Sequence, residues 1–265
     1  MTYPLQFMSE EQGRRFATGP GGEIMVKYPL QYCKAVFLGG RPRKSGTTKV
    51  FNGTATLLEL PSGIYAVTCA HVIDAYYDVR NELGDALLQI GMTEISVEDQ
   101  LVCKNDTTDL VTIRLTTAQL DALQREGEIG SRVIRPAKWP PEPVEVGQPI
   151  MFGGFPGAWR EWVAHDELVF GSFSTAGIKV TTSHSDRLSC QLERDYWISS
   201  VARGDSDKAI TLKELGGLSG GPAFVDRGLQ FEFAGIIYQH AESFDILFLR
   251  PAGLINPDGS IKDSG

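Results

Sequence analysis

Short apolar runs, broken by glycine, proline or polar clusters, dominate the hydrophobic pattern of this chain. Ile64–Cys69, Asp109–Leu115, Pro149–Phe152, Leu168–Phe173, Gly177–Thr182 and Tyr196–Ser199 are each rich in β-branched or aromatic residues, which predicts strands. Leu229, Phe231 and Phe233 alternate with Gln230 and Glu232, the period of a half-buried strand. Asp226-Arg227-Gly228 is placed to close a hairpin back onto Pro222–Val225. One helix is predicted: Thr116 caps it, Gln119 completes a capping box, and Leu120 and Leu123 share a face. Many strands with few short helices predict an all-β fold, a sandwich or barrel rather than a parallel sheet.

The prolines at 136, 140, 141 and 143 suit an extended crossing segment and divide the chain. The expected organisation is an N-terminal extension over 1–30, a first β unit over 31–128, a linker over 129–145 and a second β unit over 146–265. The 265 residues suffice for two small units sharing an interface. A formal net charge of −8 argues against a nucleic-acid partner, and the locally basic stretch through Arg41, Arg43 and Lys44 reads as a solvated loop. No window approaches the ~20 apolar residues of a membrane span, and no export signal is visible, so the expectation is a cytoplasmic protein without a membrane partner. Cys33, Cys69, Cys103 and Cys190 form no CxxC pair and no metal-like spacing with the histidines; four reduced thiols and no disulfide are expected.

Candidate chemistry concentrates at Gly216-Gly217-Leu218-Ser219-Gly220-Gly221-Pro222. Glycines on both sides of a serine permit backbone conformations closed to other residues and leave room for a substrate carbonyl. The amides of Gly217 and Ser219 would then form an oxyanion hole. A glycine-rich turn between strands is the alternative. The segment also satisfies the G-x-S-x-G elbow of α/β-hydrolases, but strand-like Ala223-Phe224-Val225 follows where that elbow needs a helix. Moreover, only 46 residues remain after Ser219 for an acid and a histidine. A serine hydroxyl needs a base. His71 closes the run from Tyr65, where a strand end would hold it at a cleft. Asp109, at the head of an apolar strand, is the residue to orient it; Asp106, in the polar turn before it, competes.

Together these segments resemble the trypsin/chymotrypsin-like serine peptidases, in particular their bacterial members. Thr68-Cys69-Ala70-His71, Asp109-Leu110-Val111-Thr112-Ile113 and Gly217–Pro222 follow the order of that family's three motifs, at spacings of 38 and 110 residues. Gly153-Gly154-Phe155-Pro156-Gly157 and Gly235-Ile236-Ile237-Tyr238 resemble two further segments of it. The resemblance implies two antiparallel Greek-key β-barrels with the site in the cleft between them. It implies acyl transfer to Ser219 with His71 as base and Asp109 orienting it, on peptide or protein substrates, with no cofactor and no metal. It also implies a primary specificity pocket based near Lys213 and lined by Ile237, Tyr238 and His240. Leu218 stands where activatable relatives carry an aspartate that pairs with a newly cut N-terminus, so that switch is not expected here. A non-catalytic binding module on the same fold is the second hypothesis, and an esterase on an unrelated fold the third.

Overall fold

The computed structural model describes residues 19–40, 50–164, 167–192, 198–202, 215–228 and 230–263. Its first sheet is built from β1 (Cys33–Gly39), β2 (Val50–Leu60), β3 (Gly63–Thr68), β4 (Leu87–Ile90), β5 (Thr93–Glu94), β6 (Leu101–Asn105) and β7 (Leu110–Leu115). The strand order is β5-β4-β1-β2-β3-β7-β6, every pairing antiparallel. Beyond the linker come β8 (Pro149–Gly154), the hairpin β9 (Arg160–Trp162) and β10 (Leu168–Phe170), β11 (Ser172–Ser183), β12 (Leu188–Gln191), β13 (Ile198–Ala202), β14 (Pro222–Asp226), β15 (Phe231–Ala241) and β16 (Ile246–Pro251). Here the order is β12-β16-β15-β14-β8-β11-β13, and a further β11–β12 pairing closes six of the strands into a barrel. The fold is thus all-β, two antiparallel units of the chymotrypsin-like kind, the second closed as a barrel and the first a curled sheet.

Among the described residues four α-helices punctuate the strands: α1 (Pro20–Lys27), α2 (Ala70–Leu83), α3 (Val97–Gln100) and α4 (Thr117–Arg125). The capping box of α4 is present as expected, with Thr116 Oγ1 accepting from Gln119 N at 3.2 Å. Within the N-terminal stretch Met25, Val26 and Leu30 are buried, and α1 packs against β8 and β11. One expectation needs correction. The run Leu168–Phe173 is not one strand. Gly171 interrupts it, donating to Trp159 O at 2.8 Å, so the chain leaves a short hairpin before entering β11. Between α4 and β8 the chain forms no strand or helix; it bends over 137–140 and touches the first sheet through a bridge between Leu58 and Ile134.

The larger hydrophobic core joins the first sheet to Met151, Phe224, Phe233 and Ile236 of the second barrel, so the two units share one apolar interface. A second cluster fills the barrel itself and includes Leu218, 1% exposed. Among the described residues no helix is long and apolar enough to cross a membrane.

Candidate active site

Helix α2 begins immediately where β3 ends. Cys69, the N-cap residue, offers no side-chain cap, because its thiol points instead at Ile237 O, 3.3 Å away. The orphan amides of the first turn therefore need an outside acceptor. Asp109 supplies it: Oδ1 accepts from His71 N at 3.0 Å, and Oδ2 lies 2.8 Å from His71 Nδ1. One carboxylate thus caps a helix and orients the ring at its second residue. Placing an anion at a helix N-terminus is itself favourable. With Nδ1–H donating to the carboxylate, Nε2 is left as the basic nitrogen.

Asp109 reaches this position through a left-handed backbone conformation, φ +54°, at the end of the turn leading into β7. Such a conformation costs about 1 kcal/mol for a non-glycine residue, and the turn is tied accordingly. Thr108 N donates to Asn105 Oδ1 at 3.0 Å, and Thr108 is fully buried. Asp106 turns away and pairs with Lys104. Of the two carboxylates weighed for His71, Asp109 is the one that reaches it.

Ser219 sits on the glycine loop between Leu215 and β14. Two glycines there are obligatory. Gly217 has φ +99°, and a Cβ on Gly220 (φ +95°) would lie 1.8 Å from Thr54 O. The loop is gripped from the first sheet by alternate residues of β2. Thr54 N donates to Ser219 O at 2.9 Å, and Thr56 Oγ1 donates to Gly220 O at 2.7 Å. Thr54 Oγ1 accepts from Phe155 N at 3.0 Å and donates to Gly217 O at 2.9 Å. Asn52 Nδ2 continues the chain to Phe155 O at 3.0 Å, and Arg160 holds Asn52 Oδ1 at 3.1 Å. None of these three β2 residues was identified from the sequence. Their signal is a polar side chain at every second position of an otherwise apolar strand, which puts all three on one face.

The Ser219 hydroxyl makes its hydrogen bond with Tyr238 O, at 3.5 Å, and among the described residues no hydrogen bond joins it to His71. The structure thus brings His71 and Asp109 together and leaves Ser219 Oγ against the Tyr238 carbonyl of β15. Beside Ser219 opens a cavity of about 220 Å³, lined by Leu215, Leu218, Ile237, His240 and Leu247 among others. Ile237 and His240, two of the residues named from the sequence, line this cavity. Tyr238 contributes its carbonyl to Ser219, and Lys213 lies outside the described residues. Burial pushes the His240 imidazole below its ordinary range, against the opposing charges of Asp245 and Glu242. A larger cavity of about 890 Å³ lies between the linker and the β14–β15 hairpin and shares no lining residue with this site.

Cys69 Sγ, His71 and Asp109 offer ligand atoms within 4.8 Å of one another. A thiol ligates metal, or attacks a carbonyl, as the thiolate. Burial, with the charge of Asp109 adding to it, pushes the Cys69 thiol well above its ordinary range, and the residue is 0% exposed. It remains a protonated donor to Ile237 O, a strut between the two units, and fits neither a metal ligand nor a nucleophile.

No family model matches the chain, and no curated protein matches it. Among solved structures, the active form of the Rv3671c protease from M. tuberculosis is similar over 93% of this chain and 90% of that one, at a TM-score of 0.44 and 14% identity. A likeness at that level carries no argument about activity, which rests on the side chains described above.

Proposed function

We propose that this protein is a serine endopeptidase in which Ser219 is the nucleophile, His71 the general base and Asp109 the residue that orients it. The observation that carries the reading is the double contact of Asp109 with His71, through Nδ1 and the backbone amide, beside a serine on a clamped glycine loop. A histidine fixed at both ring and backbone presents one nitrogen in one direction, as a general base requires.

The second support is the backbone of the glycine loop. Gly157 N donates to Gly216 O at 2.6 Å. In a trans peptide the C=O and the next N–H point in opposite directions, so the Gly217 N–H faces away from the 157 loop. Among the described residues neither Gly217 N nor Ser219 N donates to a backbone oxygen. Two such donors, one the nucleophile's own amide and the other two residues before it, match the need of a tetrahedral oxyanion.

In the reaction, rotation about the Ser219 Cα–Cβ bond exchanges the long contact with Tyr238 O for one with His71 Nε2. Oγ attacks the scissile carbonyl as its proton passes to Nε2, and the imidazolium is stabilised by Asp109. That proton then leaves with the departing amine, and water, deprotonated in turn by His71, hydrolyses the acyl-Ser219 ester. The chemistry uses no cofactor.

The resting Ser219–Tyr238 contact also fits a binding module on this fold, and turnover separates the two readings. A mixture of peptides of defined sequence incubated with the protein should yield cleavage products by mass spectrometry, and Ser219→Ala should abolish them. Binding without cleavage would favour the module.

A further inference from the structure

Arg250, on β16 of the second barrel, is 9% exposed, a cation nearly withdrawn from water. A buried charge is costly unless it is paired and hydrogen-bonded. Among the described residues its one ion-pair partner is long: the carboxylate of Asp186 stands 3.8 Å from Nη1. Its guanidinium carbon lies instead 4.0 Å from the centroid of the Tyr238 ring, in cation–π range. Nη1 donates to Asp186 O at 3.0 Å and Nη2 to Thr107 O at 3.3 Å, while Nε is buried and finds no partner among the described residues. That arrangement is hard to explain as stabilisation of the barrel alone.

Its contacts converge on the site. Thr107 stands in the turn between β6 and β7 of the first unit, two residues before Asp109 with its left-handed conformation. Tyr238 belongs to the second barrel, and its carbonyl receives the Ser219 hydroxyl. The Cys69 thiol, whose Sγ sits within 4.8 Å of the His71 and Asp109 ligand atoms, is itself in range of the Arg250 charge. We propose that Arg250 is a positioning residue, a buried cation that ties the turn carrying Asp109 to the strand presenting Tyr238 and so sets the His71–Asp109 pair against Ser219. The planar fork suits this task, because a guanidinium over a ring can still donate in two directions within its own plane. Lysine has neither property.

The catalytic consequence rests on the peptidase reading; the placement of Asp109 does not, and the experiment separates them. Arg250→Met retains an apolar stem, and Arg250→Lys retains the charge. Nitrogen-15 NMR of the His71 ring reports the fraction of imidazole protonated on Nδ1, with Asp109→Asn as reference for a ring released from its acceptor. In wild type Nδ1 carries the proton. In Arg250→Met the expected result is a mixed tautomer, with kcat reduced about 10- to 100-fold at unchanged KM, the range for a displaced catalytic group. Arg250→Lys should fall between. Should Arg250→Met fail to fold, Arg250→Lys decides alone: a wild-type tautomer with kcat within about twofold of wild type, the usual span of a neutral substitution, overturns the proposal. A drop in melting temperature with tautomer and kcat unmoved overturns it equally, since Arg250 would then hold the barrel and nothing more. If the wild-type protein cleaves no peptide, the peptidase reading fails while the tautomer comparison still decides the role of Arg250.

Discussion

Replacing Thr54 by valine removes one oxygen and leaves the shape of the side chain almost unchanged. That oxygen accepts from Phe155 N and donates to Gly217 O, and Thr54 is 0% exposed, so both partners lose a buried hydrogen bond that no water replaces. A buried polar group left unsatisfied costs about 1–3 kcal/mol. Two such groups, with some relaxation, place the loss of stability at about 2–4 kcal/mol. For a chain of this size that corresponds to a fall in melting temperature of roughly 5–15 °C. The second consequence is local. The Gly217 carbonyl is part of the loop whose amides are proposed to bind the oxyanion, and freeing it blurs their aim. Losing one such donor costs about 10²–10³ in kcat, so a loosened pair should lose about 10–100-fold with KM little changed. Thr54→Ser restores the hydroxyl and should recover most of both quantities. Thermal melting combined with kcat normalised to titrated active sites reads the two effects separately. If Thr54→Val melts lower yet turns over at the wild-type rate, the hydroxyl holds the units together without tuning the loop. If neither quantity moves, the clamp itself is wrong.

Other substitutions probe the remaining contacts. Asp109→Asn should lower kcat by about 10³–10⁴, the scale seen when a triad acid is neutralised, whereas Asp106→Asn, paired only with Lys104, should change steady-state rates little. Leu218→Asp would bury an unpaired carboxylate in the barrel core, so urea melts should show a loss of several kcal/mol, on the order of 2–5. By the same packing, intact-mass analysis of active preparations should show turnover by the untrimmed chain; activity gained only on N-terminal trimming would contradict it. Burial pushes the Cys190 thiol up to about 12, and Cys33 and Cys69 upward as well. Timed alkylation of the native protein should therefore modify Cys103, the least buried, first, and denaturation should release all four thiols.

Local patterns in the sequence identify much of this site, and tertiary contacts supply the rest. His71 and Asp109 were readable because each borders an apolar strand run; the structure seats His71 in the first turn of α2 rather than at a strand end, puts Asp109 in the turn before β7, and joins them across 38 residues. The helix after His71 was not read. Its buried face, Val72, Ile73, Tyr76 and Val79, is made of β-branched and aromatic residues that also suit strands. β1 passed unnoticed because it is buried on both faces and so lacks period-two alternation; even Lys34 in it is covered, paired with Glu126 at 3.1 Å. Threonines at 54 and 56 look ordinary in a strand, and only their partners more than 160 residues away disclose the clamp. Arg250 is a comparable case. Nothing adjacent to it in the chain indicates that its guanidinium reaches Thr107 in the other unit.

Reaction with a fluorophosphonate tests the central claim most directly, because that reagent phosphonylates, with loss of fluoride, only a serine activated by a base and seated at an oxyanion site. The account predicts a single covalent adduct, mapped by peptide mass spectrometry to Ser219, absent in Ser219→Ala and formed at least about 10³-fold more slowly in His71→Ala. An intact protein that stays unmodified, or an adduct that persists in Ser219→Ala, would contradict it.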